Sequence, residues 1–123
     1  MKLILLMLLG HLVADYTLQG CLAHMKQKSW WTEMMHDVKP ERRHKYRHDY
    51  IVALVCHALY WSLITFLPLY NSPMWAYAVI VNTVLHAVID DLKANRNAIN
   101  LCHDQLLHLA QIVATYFVLG ALQ

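Results

Sequence analysis

Histidine and aspartate residues recur at four-residue spacing inside stretches of this chain that are otherwise apolar enough to lie in a membrane. Three pairs have this spacing: His11 with Asp15, His86 with Asp90, and Asp104 with His108. His57 is a single histidine in the remaining apolar stretch. Ionisable groups are costly in hydrocarbon, so a chain that keeps this many of them at helical spacing is expected to use them together. The pattern predicts a metal site inside a membrane protein.

The composition is typical of a small helical membrane domain. The 123 residues are 59% hydrophobic and only 15% charged, which is less charge than a soluble globule usually carries. No linker or low-complexity segment divides the chain, so a single domain over residues 1–123 is predicted. The formal net charge of +2 is too small to indicate a nucleic-acid partner.

Four apolar segments predict four transmembrane helices, at about residues 1–19, 50–70, 74–92 and 104–122. Each segment is close to the roughly 20 residues that a helix needs to cross about 30 Å of hydrocarbon. The expected fold is therefore an all-α, four-helix transmembrane bundle. The short segment Asn71-Ser72-Pro73 between the second and third helices predicts a tight extracytoplasmic hairpin.

Lysine and arginine residues are concentrated in the first loop. Seven of the ten lie between Gly20 and Asp49, Lys93 and Arg96 lie in the third loop, and the second loop has none. Positive loops stay in the cytoplasm, so both termini are predicted to be extracytoplasmic. The basic run 39–48 is expected to contact anionic lipid headgroups, with a specific partner site as the alternative.

The order of the residues within each pair reverses where the predicted helix direction reverses. The first and third helices run inward and place histidine before aspartate, whereas the fourth runs outward and places aspartate first. This order puts the three aspartates nearer the cytoplasm and the histidines about one turn, roughly 6 Å, deeper. His57 falls at the same level as the other histidines. Every predicted helix therefore delivers a potential ligand to one layer.

Residues four apart share a helix face, so each pair can direct two ligand atoms into one volume. The predicted metal ligands are His11, Asp15, His57, His86, Asp90, Asp104 and His108. This set exceeds what one four-coordinate zinc requires, so it suits one ion with polar support or two ions. Zinc is the first expectation, with iron or manganese as alternatives. A hydrogen-bond network between helices, without metal, is the competing interpretation.

Further polar residues are expected in the same layer: Gln19, Asn82, Lys93 and Gln105. Gln19 lies one turn beyond Asp15, and Asn82 lies one turn before His86. Each is expected to orient a ligand or hold substrate, or else to cap a helix interface. Lys93 is suited to bind a phosphate or neutralise the acidic end of the site, or to anchor the helix at the headgroups.

The N-terminus has a competing interpretation. Lys2, the apolar run 3–9 and the string 18–21 imitate a lipoprotein signal peptide, whose cleavage would leave Cys21 as the first residue. His11 and Asp15 interrupt the apolar core of such a signal, and Gln19 stands where a small residue is expected. A membrane helix is therefore the preferred interpretation.

These motifs together resemble a known family. The string from Gly10 to Gln19, then His57, His86 to Asp90 with Lys93, and Asp104 to His108 is similar to the bacterial and phage membrane family catalogued as domain of unknown function 3307. The resemblance implies a multi-pass protein of the bacterial inner membrane. The family's histidine and aspartate pattern is in turn similar to that of membrane-bound metal-dependent hydrolases.

Three functions are consistent with these residues. The first is a metal-dependent hydrolase that acts on a lipid or membrane-associated substrate near the cytoplasmic face, with Asp15 or Asp104 as proton acceptor. The second is a transporter or channel for a metal ion or proton, and the third is a haem-binding electron carrier. Because the polar groups gather in one layer, the sequence favours a closed site and hydrolysis. A bundle this small is also compatible with a homo-oligomer.

Overall fold

The computed structural model describes residues 2–120, and these residues form helices joined by short turns, with no strand among them. The α-helices are α1 (Lys2–Leu12), α2 (Leu22–Met25), α3 (Lys28–Met34), α4 (Pro40–Arg43), α5 (Asp49–Phe66), α6 (Trp75–Ala94) and α7 (Leu101–Leu119). A π-helical turn, Val13–Thr17, continues α1, and a 3₁₀ turn, Leu67–Leu69, continues α5. The all-α prediction is confirmed.

The four predicted apolar segments correspond to α1 with its π turn, α5, α6 and α7. α7 begins at Leu101, three residues earlier than predicted, because the Asn100 side chain accepts a hydrogen bond from the backbone N–H of His103 and caps the helix. α5 gives way to a 3₁₀ turn at Leu67, beside Pro68. The predicted helix ends at residues 1 and 122 lie outside the described residues.

α5 and α6 form a hairpin and are the most extensively packed pair of helices. The indole Nε1 of Trp75 donates a 2.8 Å hydrogen bond to the carbonyl oxygen of Phe66 and closes the turn between them. The apolar core lies toward this end of the bundle and includes Met7, Trp61, Phe66, Leu69, Val79 and Ile112. Polar side chains occupy the other half of the interior.

α1 packs against α5 at very short range. A Cβ atom added to Gly10 would lie 2.9 Å from the carbonyl oxygen of Ile64 and 3.0 Å from the Cα of Thr65. Glycine therefore allows the two backbones to touch, as small residues do where membrane helices cross. This contact fixes the position of α1, and with it the position of the π turn that follows.

Two helical stretches among the described residues are long and apolar enough to cross a membrane, Pro40–Leu69 and Trp75–Ala94. The other two long helices are not among these stretches. α1 with its π turn ends at Thr17, and α7 carries the polar residues Asp104, His108 and Gln111 on its inward face. Large apolar side chains cover the outside of all four long helices, among them Leu9, Val52, Ile80 and Phe117. The outside of these helices is therefore apolar, whereas one half of the interior is polar.

The first loop folds back onto the end of α6. Asn95 accepts a 2.8 Å hydrogen bond from the backbone N–H of Lys28 and donates one of 3.1 Å to the carbonyl oxygen of Lys26. The indole of Trp31 donates a 2.6 Å hydrogen bond to the carbonyl oxygen of Met25. These contacts hold the segment 25–28 beneath the polar half of the bundle.

Candidate functional site

A cluster of buried carboxylates and imidazoles lies in the polar half of the bundle, where the four long helices converge. His57, His86, Asp104 and His108 have no exposed surface, and Asp90 is 1% exposed. Asp15 joins them from the π turn, with 7% of its side chain exposed. Residues from α5, α6, α7 and the turn after α1 therefore meet in one place.

Asp15, His57 and His86 form one group with the geometry to hold a metal ion. The Nε2 atom of His57 lies 3.4 Å from Oδ1 of Asp15 and 3.3 Å from Nε2 of His86. The Gln19 amide lies at the edge of this group, with Nε2 3.3 Å from Asp15 Oδ1 and 3.1 Å from His57 Nε2. The π turn brings Asp15 here, and π turns of this kind recur at functional sites.

His86, Asp90 and His108 form a second group, which shares His86 with the first. Asp90 Oδ2 lies 3.7 Å from His86 Nε2, and Asp90 Oδ1 lies 3.6 Å from His108 Nε2. Asp104 extends this group, because its Oδ1 atom lies 3.5 Å from His108 Nε2. Asp90 thus faces both groups through its two oxygens, since His57 Nε2 is also 3.5 Å from Oδ2.

The spacing of these atoms favours ligands of a metal over partners in hydrogen bonds. All five nitrogen-to-oxygen separations between the histidines and aspartates of the two groups lie between 3.4 and 3.7 Å. Hydrogen bonds of this kind are about 2.7–3.2 Å long. Ligand atoms about 2.0–2.1 Å from a tetrahedral zinc are about 3.3–3.4 Å from one another. The separations in the cluster are longer than these hydrogen bonds and lie at or slightly above the distance between zinc ligands, so the groups could hold a metal ion.

Three acceptor atoms in the second group have no hydrogen-bond partner within the described part of the chain: Asp90 Oδ1, Asp104 Oδ1 and His108 Nε2. All three are buried, and His108 Nε2 lies between the two carboxylate oxygens. Buried acceptors that face one another repel unless a positive charge lies among them. A proton or a metal ion is therefore required there.

A chain of amides determines which nitrogen of His108 faces the cluster. Gln111 Nε2 donates to the backbone oxygen and to Oδ1 of Asn82, each at 3.3 Å, so its Oε1 atom points the other way. That oxygen lies 3.2 Å from Nδ1 of His108 and accepts its hydrogen. Nε2 is then the nitrogen that faces the carboxylates, the same orientation that metal-binding histidines have.

Two lysines reach the cluster from its loop side. Lys26, only 4% exposed, donates a 2.6 Å hydrogen bond to Oδ2 of Asp90. Lys93 donates an equally short one to Oδ2 of Asp104. In each pair the ammonium holds one carboxylate oxygen and leaves Oδ1 facing His108. Buried carboxylates need such partners, because a buried charge without one is strongly destabilising.

Gln105 links the first and last helices across the site. Its Nε2 atom donates to Asp15 Oδ2 at 2.9 Å and to Asp104 Oδ2 at 3.0 Å. Together with the lysines it holds one oxygen of each carboxylate, and each Oδ1 atom faces an imidazole. The first and fourth long helices are thereby joined through the cluster itself.

Trp61 separates the cluster from the apolar core. Its ring stacks on His86, with centroids 4.1 Å apart and planes inclined by 23°, and His86 in turn stacks on His108 at 4.0 Å. The indole N–H of Trp61 donates a 2.9 Å hydrogen bond to Nδ1 of His11. The histidines thus lie against an aromatic wall, while the aspartates face the two lysines.

Comparison with known proteins was made on the whole chain. A family model described as protein of unknown function, DUF3307, matches residues 3–123. The chain belongs to the DUF3307 family. No curated protein and no solved structure matched it. Every residue of the cluster lies within the part of the chain that matches DUF3307.

In this DUF3307 protein, most of the sequence-predicted ligands come together: Asp15, His57, His86, Asp90, Asp104 and His108. His11 lies outside both groups, and its Nδ1 atom is occupied by Trp61. Asn82 reaches the cluster only through Gln111. Gln19, Lys93 and Gln105 each contact an aspartate, as described above.

Sequence reasoning missed three residues of the site. Trp61 and Gln111 were detectable, because they lie four residues after His57 and three residues after His108 on the same helix faces. Lys26 carries no such pattern, since it reaches Asp90 only because the first loop folds back onto α6.

Proposed function

We propose that this protein is a membrane-embedded metal-dependent hydrolase that acts on a lipid or membrane-associated substrate near the cytoplasmic face. The observation that carries the proposal is the arrangement of Asp90 Oδ1, Asp104 Oδ1 and His108 Nε2. These three atoms are buried and have no hydrogen-bond partner in the described part of the chain. His108 Nε2 lies 3.6 Å from Asp90 Oδ1 and 3.5 Å from Asp104 Oδ1, distances that are too long for hydrogen bonds.

The proposed ligands of the ion are His86, Asp90 and His108. Three protein ligands with a fourth position for water is the usual arrangement of catalytic zinc sites. Zinc is the first choice, and iron or manganese accepts the same nitrogen and oxygen ligands. Asp15 and His57 lie on the other side of His86, where they are placed to contact substrate or bound water.

The charge of the cluster favours one ion over two. Three carboxylates and two ammonium groups leave a formal charge of −1 when the imidazoles are neutral. One divalent ion changes this charge to +1, which a hydroxide or an anionic substrate neutralises. Two divalent ions would give the cluster a net charge of +3, and a buried net charge of that size is strongly destabilising.

Hydrolysis in such a site proceeds through activated water. A metal held by His86, Asp90 and His108 would supply the activation of water, because metal binding lowers the pKa of water toward neutrality. Asp104, whose Oδ1 atom lies 3.5 Å from His108 Nε2, is the proposed proton acceptor, and Asp15 is the alternative on the opposite side. Lys26 and Lys93 would counter negative charge that develops on the substrate.

The proposed setting is the inner membrane of a bacterium, with α1, α5, α6 and α7 as four transmembrane helices and both termini outside the cytoplasm. The apolar outer surface of all four helices supports this setting, because soluble proteins rarely expose apolar patches of that extent. The basic first loop then lies on the cytoplasmic side. Substrate would enter beside Lys26 and Lys93.

Metal analysis of protein purified in detergent, without a histidine-rich tag, tests the proposal. About one equivalent of a transition metal is expected in the wild type and none in an Asp90→Asn, His108→Gln double variant. His44→Gln is the matched control, because His44 is exposed and lies outside the cluster. Wild-type protein that stays metal-free after metal is added back would rule out the proposal. Metal-loaded protein is then assayed on phosphoester and lipid-ester substrates.

A transporter of protons or metal ions is the second candidate. Buried polar side chains continue from His57 along α5, where Ser62 and Thr65 have no exposed surface and their hydroxyls have no partner among the described residues. Ion flux into dye-loaded liposomes separates the two functions. A hydrolase gives no flux above that of the Asp90→Asn, His108→Gln variant, whereas a transporter does.

A further inference from the structure

A pocket lies outside the histidine and aspartate cluster, between α3 and the segment that leads into α5. It encloses about 580 Å³, within the range of small-molecule sites. Five basic side chains line it: Lys28, Arg43, His44, Arg47 and His48. No aspartate or glutamate is among its lining residues in the described part of the chain.

The positive charge in this pocket is not neutralised by the protein. The ion pairs made by lysine and arginine among residues 2–120 are Lys26 with Asp90, Lys93 with Asp104, and Arg96 with Asp91. Lys28 and Arg47 therefore have no carboxylate partner there. Cations gathered in a concave site without counter-charge attract anions and concentrate them.

The backbone around the pocket is held in place. The Arg43 guanidinium donates hydrogen bonds of 2.8 Å to the carbonyl oxygen of Val38 and 2.6 Å to that of His36. Lys28 is fixed through its backbone by Asn95, and its ammonium lies 4.8 Å from the centre of the Tyr50 ring. The cations thus line one concave, solvent-open surface whose backbone is fixed by these hydrogen bonds.

Aromatic side chains complete the pocket: Trp31, Tyr46 and Tyr50. Tryptophan and tyrosine are enriched at the level of lipid headgroups, and arginine binds phosphate through two parallel hydrogen bonds. We propose that this pocket binds the phosphate of a phosphorylated headgroup. Its ligand and its residues are separate from the metal centre, so the inference does not depend on the proposed hydrolysis.

Binding to short-chain lipids in detergent, measured by native mass spectrometry, tests this inference. The probes are dihexanoyl phosphatidic acid, dihexanoyl phosphatidylcholine, glycerol 3-phosphate and inorganic phosphate. The pocket variant is Lys28→Gln with Arg47→Gln. The control is Lys39→Gln with Arg42→Gln, which removes the same charge from exposed side chains of the same loop that do not line the pocket. Arg47→Gln alone is a milder variant should the double variant misfold.

The pocket variant is expected to bind phosphatidic acid at least tenfold more weakly than the control, and the wild type to bind phosphatidylcholine weakly. Glycerol 3-phosphate that binds as tightly as phosphatidic acid would identify a soluble phosphate as the ligand, whereas much weaker binding would identify the lipid. Equal losses in the pocket and control variants would overturn the inference, because the attraction would then belong to the whole loop. So would a wild type that binds none of the phosphate probes.

Discussion

Lys26 donates a 2.6 Å hydrogen bond to Asp90, although 64 residues separate them along the chain. The pair is almost completely buried, with 6% and 1% of the two side chains exposed. Asn95 holds the backbone at Lys26, so the fold of the first loop and the charge balance of the cluster depend on each other. A loop that looks like a solvated connection in the sequence is part of the site.

Replacing Lys26 by methionine is expected to destabilise the protein. Asp90 would lose the partner of Oδ2 and become a buried charge with little compensation, at a cost of about 3–5 kcal/mol. Thermal unfolding in detergent measures the loss, and Lys45→Met, at an exposed position in the same loop, is the control. Adding Asp90→Asn to Lys26→Met should recover much of the stability. Unchanged stability in Lys26→Met would contradict the buried ion pair.

Gln111 is expected to set the metal affinity of His108 without contacting the ion. Gln111→Leu removes the acceptor for the Nδ1 hydrogen of His108, and loss of such a partner typically weakens metal binding about 10–100-fold. Gln111→Glu keeps an acceptor at that position and should retain most of the affinity. Competition with a metal chelator measures both variants. Equal affinities in the two variants would show that Gln111 does not orient the imidazole.

His86→Ala is expected to lower both metal content and thermal stability, because His86 belongs to both ligand groups and stacks on Trp61. His44→Ala should change neither quantity, since His44 is exposed and its Nδ1 atom lies 2.7 Å from the carbonyl oxygen of Glu41. Elemental analysis and a thermal scan in the same detergent check the two variants. A His86→Ala variant that loses stability but keeps its full metal content would show that His86 contributes packing and is not a metal ligand.

Gly10→Ala is expected to separate α1 from α5. The added Cβ would meet backbone atoms of Ile64 and Thr65, which cannot rotate away, and overpacking of this kind costs about 1–3 kcal/mol. Leu9→Ala is a matched change at an adjacent, exposed position and should cost less. Unfolding in detergent compares the two. A Gly10→Ala variant as stable as Leu9→Ala would show that the helices can shift without penalty.

Local patterns predicted the parts of the structure that depend on local physics. The spacing of His86 with Asp90 and of Asp104 with His108 placed both pairs on single helix faces, and the structure brings both pairs into the cluster. Long apolar runs likewise predicted the helices, because burial and backbone hydrogen bonding both favour them.

Features that depend on tertiary contacts were not predictable in the same way. Four-residue spacing suggested that His11 and Asp15 act together, but the π turn begins between them and contains Asp15, and only Asp15 enters a ligand group. Lys26 is one of seven basic residues in a single loop, and nothing in its neighbourhood distinguishes it from the others. Its position follows from the hydrogen bonds of Asn95 to the backbone of Lys26 and Lys28, which are far away in the sequence.

The π turn at Val13–Thr17 also bears on how readily the site can be lost. A π turn holds one residue more than the α-helical turn it replaces, so deleting one codon within this turn would restore a regular helix, change the direction of Asp15 and leave the residues beyond it on about the same face. Gly10 precedes the turn, so the packing of α1 on α5 would remain. Deletion of one codon is therefore expected to remove Asp15 from the cluster while the scaffold is kept.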